Sequence, residues 1–175
     1  MNSSRAPFLL LILIAGMLLF SQCTSYRSTS APANSSQTAK GDTKEDRLRA
    51  EIVDYAREFI GTKYRYAGKD PKGFDCSGFT WYVFRKFDIE LSASSRLQAE
   101  QGKPLRSISD ARPGDLVFFS KGEKGRGKIN HVGLVVSNDG EGLKVIHSTS
   151  RGVIIDSVYE SSYWRTRVLE ARTVL

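Results

Sequence analysis

An α+β fold with an antiparallel sheet is predicted by two features of this chain. Helical periodicities come first and strand-like runs cluster after them, and tight turn signals separate one strand from the next. A third observation sets the scale: at 175 residues there is room for one domain with appendages, and so for one active site.

The chain opens with an address, not a fold. Met1 to Pro7 carries one arginine, and Phe8 to Phe20 is an apolar run too short to span a bilayer, which takes about 20 residues; residues 1–22 read as a signal peptide. Cys23 follows at once, with small polar residues after it, and this resembles a bacterial lipoprotein signal, in which the chain is cut before a cysteine that then carries acyl groups. Phe20 and Gln22 stand where such signals usually have Leu and a small residue, so simple secretion and an uncleaved anchor remain alternatives. Thr24 to Asp46 is rich in Ser, Thr, Ala and Asn without apolar periodicity, so residues 23–46 read as a solvated tether.

The folded unit is expected over residues 47–175. Leu48, Ile52, Ala56, Phe59 and Ile60 repeat at helical spacing, with Gly61 past the end. Thr62 to Phe74 is dense in Gly, Lys, Asp and Pro and reads as loop. A second helix is predicted from Cys76 to Phe87, with Asp75 as N-cap and Cys76, Phe79, Val83 and Phe87 on one stripe. A short helical stretch runs from Ser95 to Gln101. The turn Ala111 to Asp115 then feeds strands at 116–119, 131–137, 143–148, 153–156 and 167–171.

Net charge is +7; without the signal segment it is +6, since Arg5 is the one ionisable side chain there. A modestly basic exported protein suits anionic polymers or headgroups and argues against nucleic-acid partners. Of the two cysteines, Cys23 would be removed or acylated, which leaves Cys76 alone in an oxidising compartment.

Cys76 is where the chemistry concentrates. A thiol at a helix N-terminus feels unpaired N–H groups and the positive end of the helix dipole, which favours the thiolate, and with a basic partner also near its pKa can fall from about 8.5 toward roughly 3.5 to 7.5. The chain's two histidines, His131 and His147, both lie in downstream strand segments flanking the turn Asn138 to Gly142. A hairpin centred on Asp139 makes them direct cross-strand neighbours; one centred on Gly140 makes them diagonal neighbours, still within reach. In the resulting Cys-His-His arrangement His131 is the base and His147 orients it, while N–H groups of Cys76 and Ser77 are candidates to stabilise an oxyanion. No metal or cofactor is called for: a closed zinc site wants four ligands, and no CxxC or HxxxH spacing is present. Ser77 lacks the Gly-x-Ser-x-Gly elbow of a serine nucleophile.

Five blocks in order carry a family resemblance: residues 61–68 (GTKYRYAG), 75–79 (DCSGF), 112–119 (RPGDLVFF), 131–134 (HVGL) and 147–153 (HSTSRGV). Together they resemble the NlpC-type cell-wall cysteine peptidases over residues 48 to 170. The resemblance implies a papain-like fold and a triad of Cys76, His131 and His147. It also implies that Tyr64 points into the active site near the oxyanion or substrate, and that Asp75, besides capping, can contact a substrate amine. The implied substrates are peptidoglycan stem peptides, cut between γ-D-glutamate and a diamino acid or at the D,D cross-link. Arg65, Arg96 and Arg151 are candidates to meet their carboxylates. A monomer in the bacterial cell envelope is implied, lipid-anchored through Cys23 and facing the periplasm or wall, on the outer membrane in a diderm cell. The rival readings are an amidase or acyltransferase of the same fold acting on another substrate, and a wall-binding lipoprotein without catalysis.

Overall fold

A computed structural model of the protein describes residues 43–122 and 127–175; the signal segment, Cys23 and nearly all of the tether lie outside them. Four helices and eight strands follow in order: α1 Lys44–Arg57, β1 Lys69–Asp70, β2 Gly73–Phe74, α2 Cys76–Arg85, α3 Ser95–Gln98, β3 Lys103–Pro104, β4 Leu116–Ser120, β5 Ile129–Asp139, β6 Gly142–Thr149, β7 Gly152–Ser157, α4 Ser162–Arg165 and β8 Val168–Thr173. The long strands and β3 form one six-stranded sheet in the order β3-β8-β4-β5-β6-β7, with every pairing antiparallel. This is the papain-like α+β arrangement, helices packed on an antiparallel sheet.

The folded unit begins earlier than composition suggests. Thr43 caps α1 by accepting from the Asp46 N–H, and the Asp46 carboxylate returns the bond to the Thr43 N–H, a reciprocal capping box. The stretch 43–46, placed in the tether by its polar composition, is therefore the first turn of a helix: a capping box is itself polar, so composition alone hides it. α1 is locked to the sheet by Arg49, which is 5 % exposed and bonds Asp115 Oδ1 and the Pro113 carbonyl, each at 2.8 Å. Asp115 in turn accepts from the Arg112 N–H through its other oxygen. The residues 112–115 thus make a turn whose carboxylate also receives the helix.

The sheet separates two apolar layers by strict alternation. Leu116, Phe118, Val132, Leu134 and Ile146 face α1 and α2, where they meet Ile52, Phe79, Val83 and Phe84. Val117, Phe119, Val135, Leu143 and Val145 form the opposite layer, covered by Trp164, Leu105 and Ile108. The β5–β6 hairpin pairs Leu134 with Ile146 and Val135 with Val145, the register centred on Gly140, so His131 and His147 are diagonal neighbours rather than directly opposite. A register shift between Val135 and Ser137 reconciles this with the two-residue turn Gly140-Glu141.

Three features escape sequence periodicity because they are too short to carry one: the β1–β2 hairpin inside the predicted loop, the edge strand β3, and α4. α2 stops at Arg85, two residues before the predicted end, in a turn that puts Asp88 at φ 57°.

Candidate active site

The position of Cys76 is set from three sides. Asp75 caps α2 by accepting from the Gly78 N–H at 2.6 Å. Gly68 reaches in from the loop: its carbonyl accepts from the Asp75 N–H at 3.0 Å, and it lies so close to Gly78 that a Cβ there would sit 2.0 Å from that oxygen. This contact ties the GTKYRYAG block to the DCSGF block. From the sheet, Ser148 Oγ donates to the Phe74 carbonyl at 2.7 Å, fastening the strand that carries His147 to the residues before Cys76. Gln98 completes the frame, accepting from Thr80 Oγ1 and donating to the Ser77 carbonyl, so α3 braces the first turn of α2.

Cys76 Sγ lies 3.9 Å from the Asn130 carbonyl, at the junction of two open cavities. One, of about 870 Å³, runs past Tyr66, Asp75, Ser77 and Arg96 toward the loop at Lys121–Gly122. The other, of about 710 Å³, runs past His131, Thr149, Arg151, Tyr163 and Trp164. Tyr64, Cys76 and Asn130 line both, so a groove passes on either side of the sulfur. The Ser77 hydroxyl is within reach of Asp75 Oδ1 and the Ala93 carbonyl, which makes it a structural tie.

The two imidazoles stand at the same end of the sheet, where β5 begins and β6 turns into β7. His131 Nε2 is 3.0 Å from His147 Nδ1, and His147 Nε2 is 3.0 Å from Asp156 Oδ2. Trp164 stacks on His131 with ring centres 4.8 Å apart and donates its indole N–H to the same Asp156 oxygen at 2.9 Å. Arg151 donates to that oxygen as well. Asp156, Trp164 and Asn130 have no part in the sequence reading. Asp156 was legible as a strand end only; its approach to His147 is diagonal across β6 and β7, as that of His131 is across β5 and β6.

Electrostatics overturn one expectation. Burial is the largest influence on Cys76 and, with the Asp75 charge adding to it, pushes the thiol up to about 11. N–H groups of Val132, Ser77 and Cys76 pull the other way but do not win. The helix terminus therefore does not by itself make a resting thiolate. Burial also drives the His131 imidazole down to about 3, with the neighbouring His147 adding to the effect, and it lowers His147 against the opposing pull of Asp156. Asp156 is held down at about 2, chiefly by the bond from His147 and then by Trp164 and Arg151. Tyr64, raised by burial first and Cys76 second, stays a neutral phenol. The resting site is a neutral thiol beside neutral imidazoles backed by a carboxylate.

The NlpC/P60 family model matches residues 61–173, nearly all of the described fold beyond α1. The chain belongs to the NlpC/P60 family. Among its relatives, it is 43 % identical over 130 residues to the murein DD-endopeptidase MepS/murein LD-carboxypeptidase of Escherichia coli K12, covering 73 % of this chain and 64 % of that protein. It is 34 % identical over 166 residues to the "Probable endopeptidase NlpC" of the same organism, covering 94 % of this chain and 97 % of the relative. Among solved structures, an NlpC/P60 family protein from Bacillus cereus superposes with a TM-score of 0.65 at 29 % identity, covering 73 % of this chain and 40 % of that one. The NlpC/P60 domain of the peptidoglycan hydrolase SagA superposes at 0.59 with 32 % identity, covering 71 % and 97 %.

Proposed function

We propose that the protein is a cysteine endopeptidase acting on peptidoglycan stem peptides, with Cys76 as nucleophile, His131 as general base and acid, and His147 as the group that orients His131. One observation carries this reading: His131 spends Nε2 on His147, leaving Nδ1 without a hydrogen bond among the described residues, and it shares a cleft with the Cys76 sulfur. As Sγ attacks the scissile carbonyl, His131 takes the thiol proton; it then passes that proton to the departing amine, leaving a thioester that water hydrolyses. Because the resting thiol is neutral, proton transfer accompanies attack instead of preceding it. N–H groups at the start of α2 receive the oxyanion, with the Tyr64 phenol on the cleft wall as a further donor.

A groove open on both sides of the sulfur suits cleavage within a peptide. The 43 % identity with a murein DD-endopeptidase favours the D,D cross-link as the bond cut. The bond between γ-D-glutamate and a diamino acid is the second reading, favoured by 38 % identity over 125 residues with the gamma-DL-glutamyl hydrolase of Bacillus subtilis. On either reading Arg96 and Arg151, at opposite ends of the groove, are placed to meet stem-peptide carboxylates. Export by the signal peptide and acylation of Cys23 would hold the domain at the envelope beside this substrate, as a monomer. Digestion of purified peptidoglycan, read by fragment masses, tests the proposal. Loss of cross-linked dimers to monomers is the result expected of the first reading, and disaccharide dipeptides that of the second. Cys76→Ser should remove turnover while the melting temperature stays near that of wild type; a folded variant with wild-type activity would remove the nucleophile assignment.

A further inference from the structure

We infer that Asp156 is a positioning residue that extends the Cys76, His131 and His147 assembly to four members by dictating which ring nitrogens carry protons. The inference rests on the functional reading above for its consequence but not for its geometry.

His131, His147 and Asp156 sit on successive strands of one sheet, β5, β6 and β7, on one face. An ionised carboxylate only accepts, so the 3.0 Å contact from His147 Nε2 to Asp156 Oδ2 requires the proton on Nε2. His147 has no exposed surface, and a buried neutral imidazole carries one proton, so its Nδ1 is then an acceptor. The 3.0 Å contact with His131 Nε2 follows: His131 donates, and its own proton is on Nε2. His131 Nδ1 is left with a bare lone pair. Each assignment forces the next, and the series starts at Asp156.

Asp156 is itself prevented from turning away. Trp164 donates to the same oxygen at 2.9 Å while its ring stacks on His131, so one side chain holds both ends of the series. Arg151 supplies a third donor. The charged or titratable groups that Asp156 meets are thus His147 and Arg151 in direct contact and His131 through space.

The test reads protonation directly. The chain has two histidines, so a long-range proton–nitrogen spectrum of the 15N-histidine-labelled protein contains four ring nitrogens, assigned with single-histidine variants. Both rings should carry their proton on Nε2 at neutral pH. A His147 ring protonated on Nδ1 in the wild-type protein would overturn the inference without any variant being made. In Asp156→Ala the His147 ring should populate both tautomers and kcat on stem peptides should fall about 10²-fold, the low end of what a correctly protonated general base contributes. The loss should lie in kcat; a KM change shared with Arg151→Ala reports the Arg151 that Asp156 also holds and not the ring proton. Asp156→Glu should restore part of kcat and the single tautomer. An Asp156→Ala protein with unchanged kcat, or with kcat lost while the His147 tautomer is unmoved, overturns the inference. If the wild-type protein cuts no stem peptide yet shows both rings protonated on Nε2, the proposed function fails and the positioning role stands.

Discussion

Alkylation of Cys76 by iodoacetamide, followed as a function of pH, separates a resting thiol from a resting thiolate. With the thiol raised to about 11, about one molecule in 10⁴ carries a thiolate at pH 7, against a few per cent for a free cysteine of pKa about 8.5. Since only the thiolate reacts, the rate should rise about tenfold per pH unit from pH 7 to 10 with no plateau. Limited access to the sulfur lowers every rate by a constant factor and leaves the slope intact. Mass analysis of the tryptic peptide from Gly73 to Arg85 reads the adduct at Cys76 alone, independently of Cys23. His131→Ala should leave the slope unchanged, because a neutral imidazole held near 3 contributes no charge to stabilise the sulfur at rest. A plateau through neutral pH with an inflection near 5, abolished in His131→Ala, would mean that a thiolate–imidazolium pair exists before substrate arrives. The balance struck here between burial and the helix terminus would then be wrong.

Asp115→Ala removes the buried one of the two carboxylates on Arg49, leaving the half-exposed Glu45, and should destabilise the domain by about 1 to 3 kcal/mol, measured by urea denaturation; an unchanged midpoint would mean that water and Glu45 replace the lost partner in full. Gly78→Ala drives a methyl group against the Gly68 carbonyl, so overpacking should lower stability by about 1 to 3 kcal/mol and misplace the start of α2, read as lost turnover. His147→Asn should retain partial activity, because an amide oxygen can still accept from His131, whereas His131→Ala should have none. Equal inactivity of the two folded proteins would assign His147 a larger part than orientation.

Much of this site is legible in the chain before it folds. Asp75 announces itself as a cap because an acidic residue precedes an amphipathic run, and the structure has it accept from the Gly78 N–H. The two histidines flank a turn whose length permits only direct or diagonal neighbours, and either brings the rings into contact. The choice between those registers was not legible, because it depends on a bulge between Val135 and Ser137 that no turn residue announces. Asp156 was hidden for a related reason: its part in the site follows from the two-residue turn at Ser150-Arg151, which pairs Val145 with Asp156 and so sets that carboxylate diagonally across from His147. Trp164 lies in a four-residue helix too short for any periodicity. Thr43 was misplaced because capping residues and tether residues are drawn from the same polar set.

Local order along the chain suffices to name the layers, the helix that presents Cys76 and the strands that carry the imidazoles, since cap chemistry, alternation and turn length act between near neighbours. What folding alone settles is protonation. Whether a sulfur at a helix start is ionised depends on how much water the surrounding core removes, and which nitrogen of the His131 ring holds a proton depends on a partner two strands away, neither of which any short stretch of residues records.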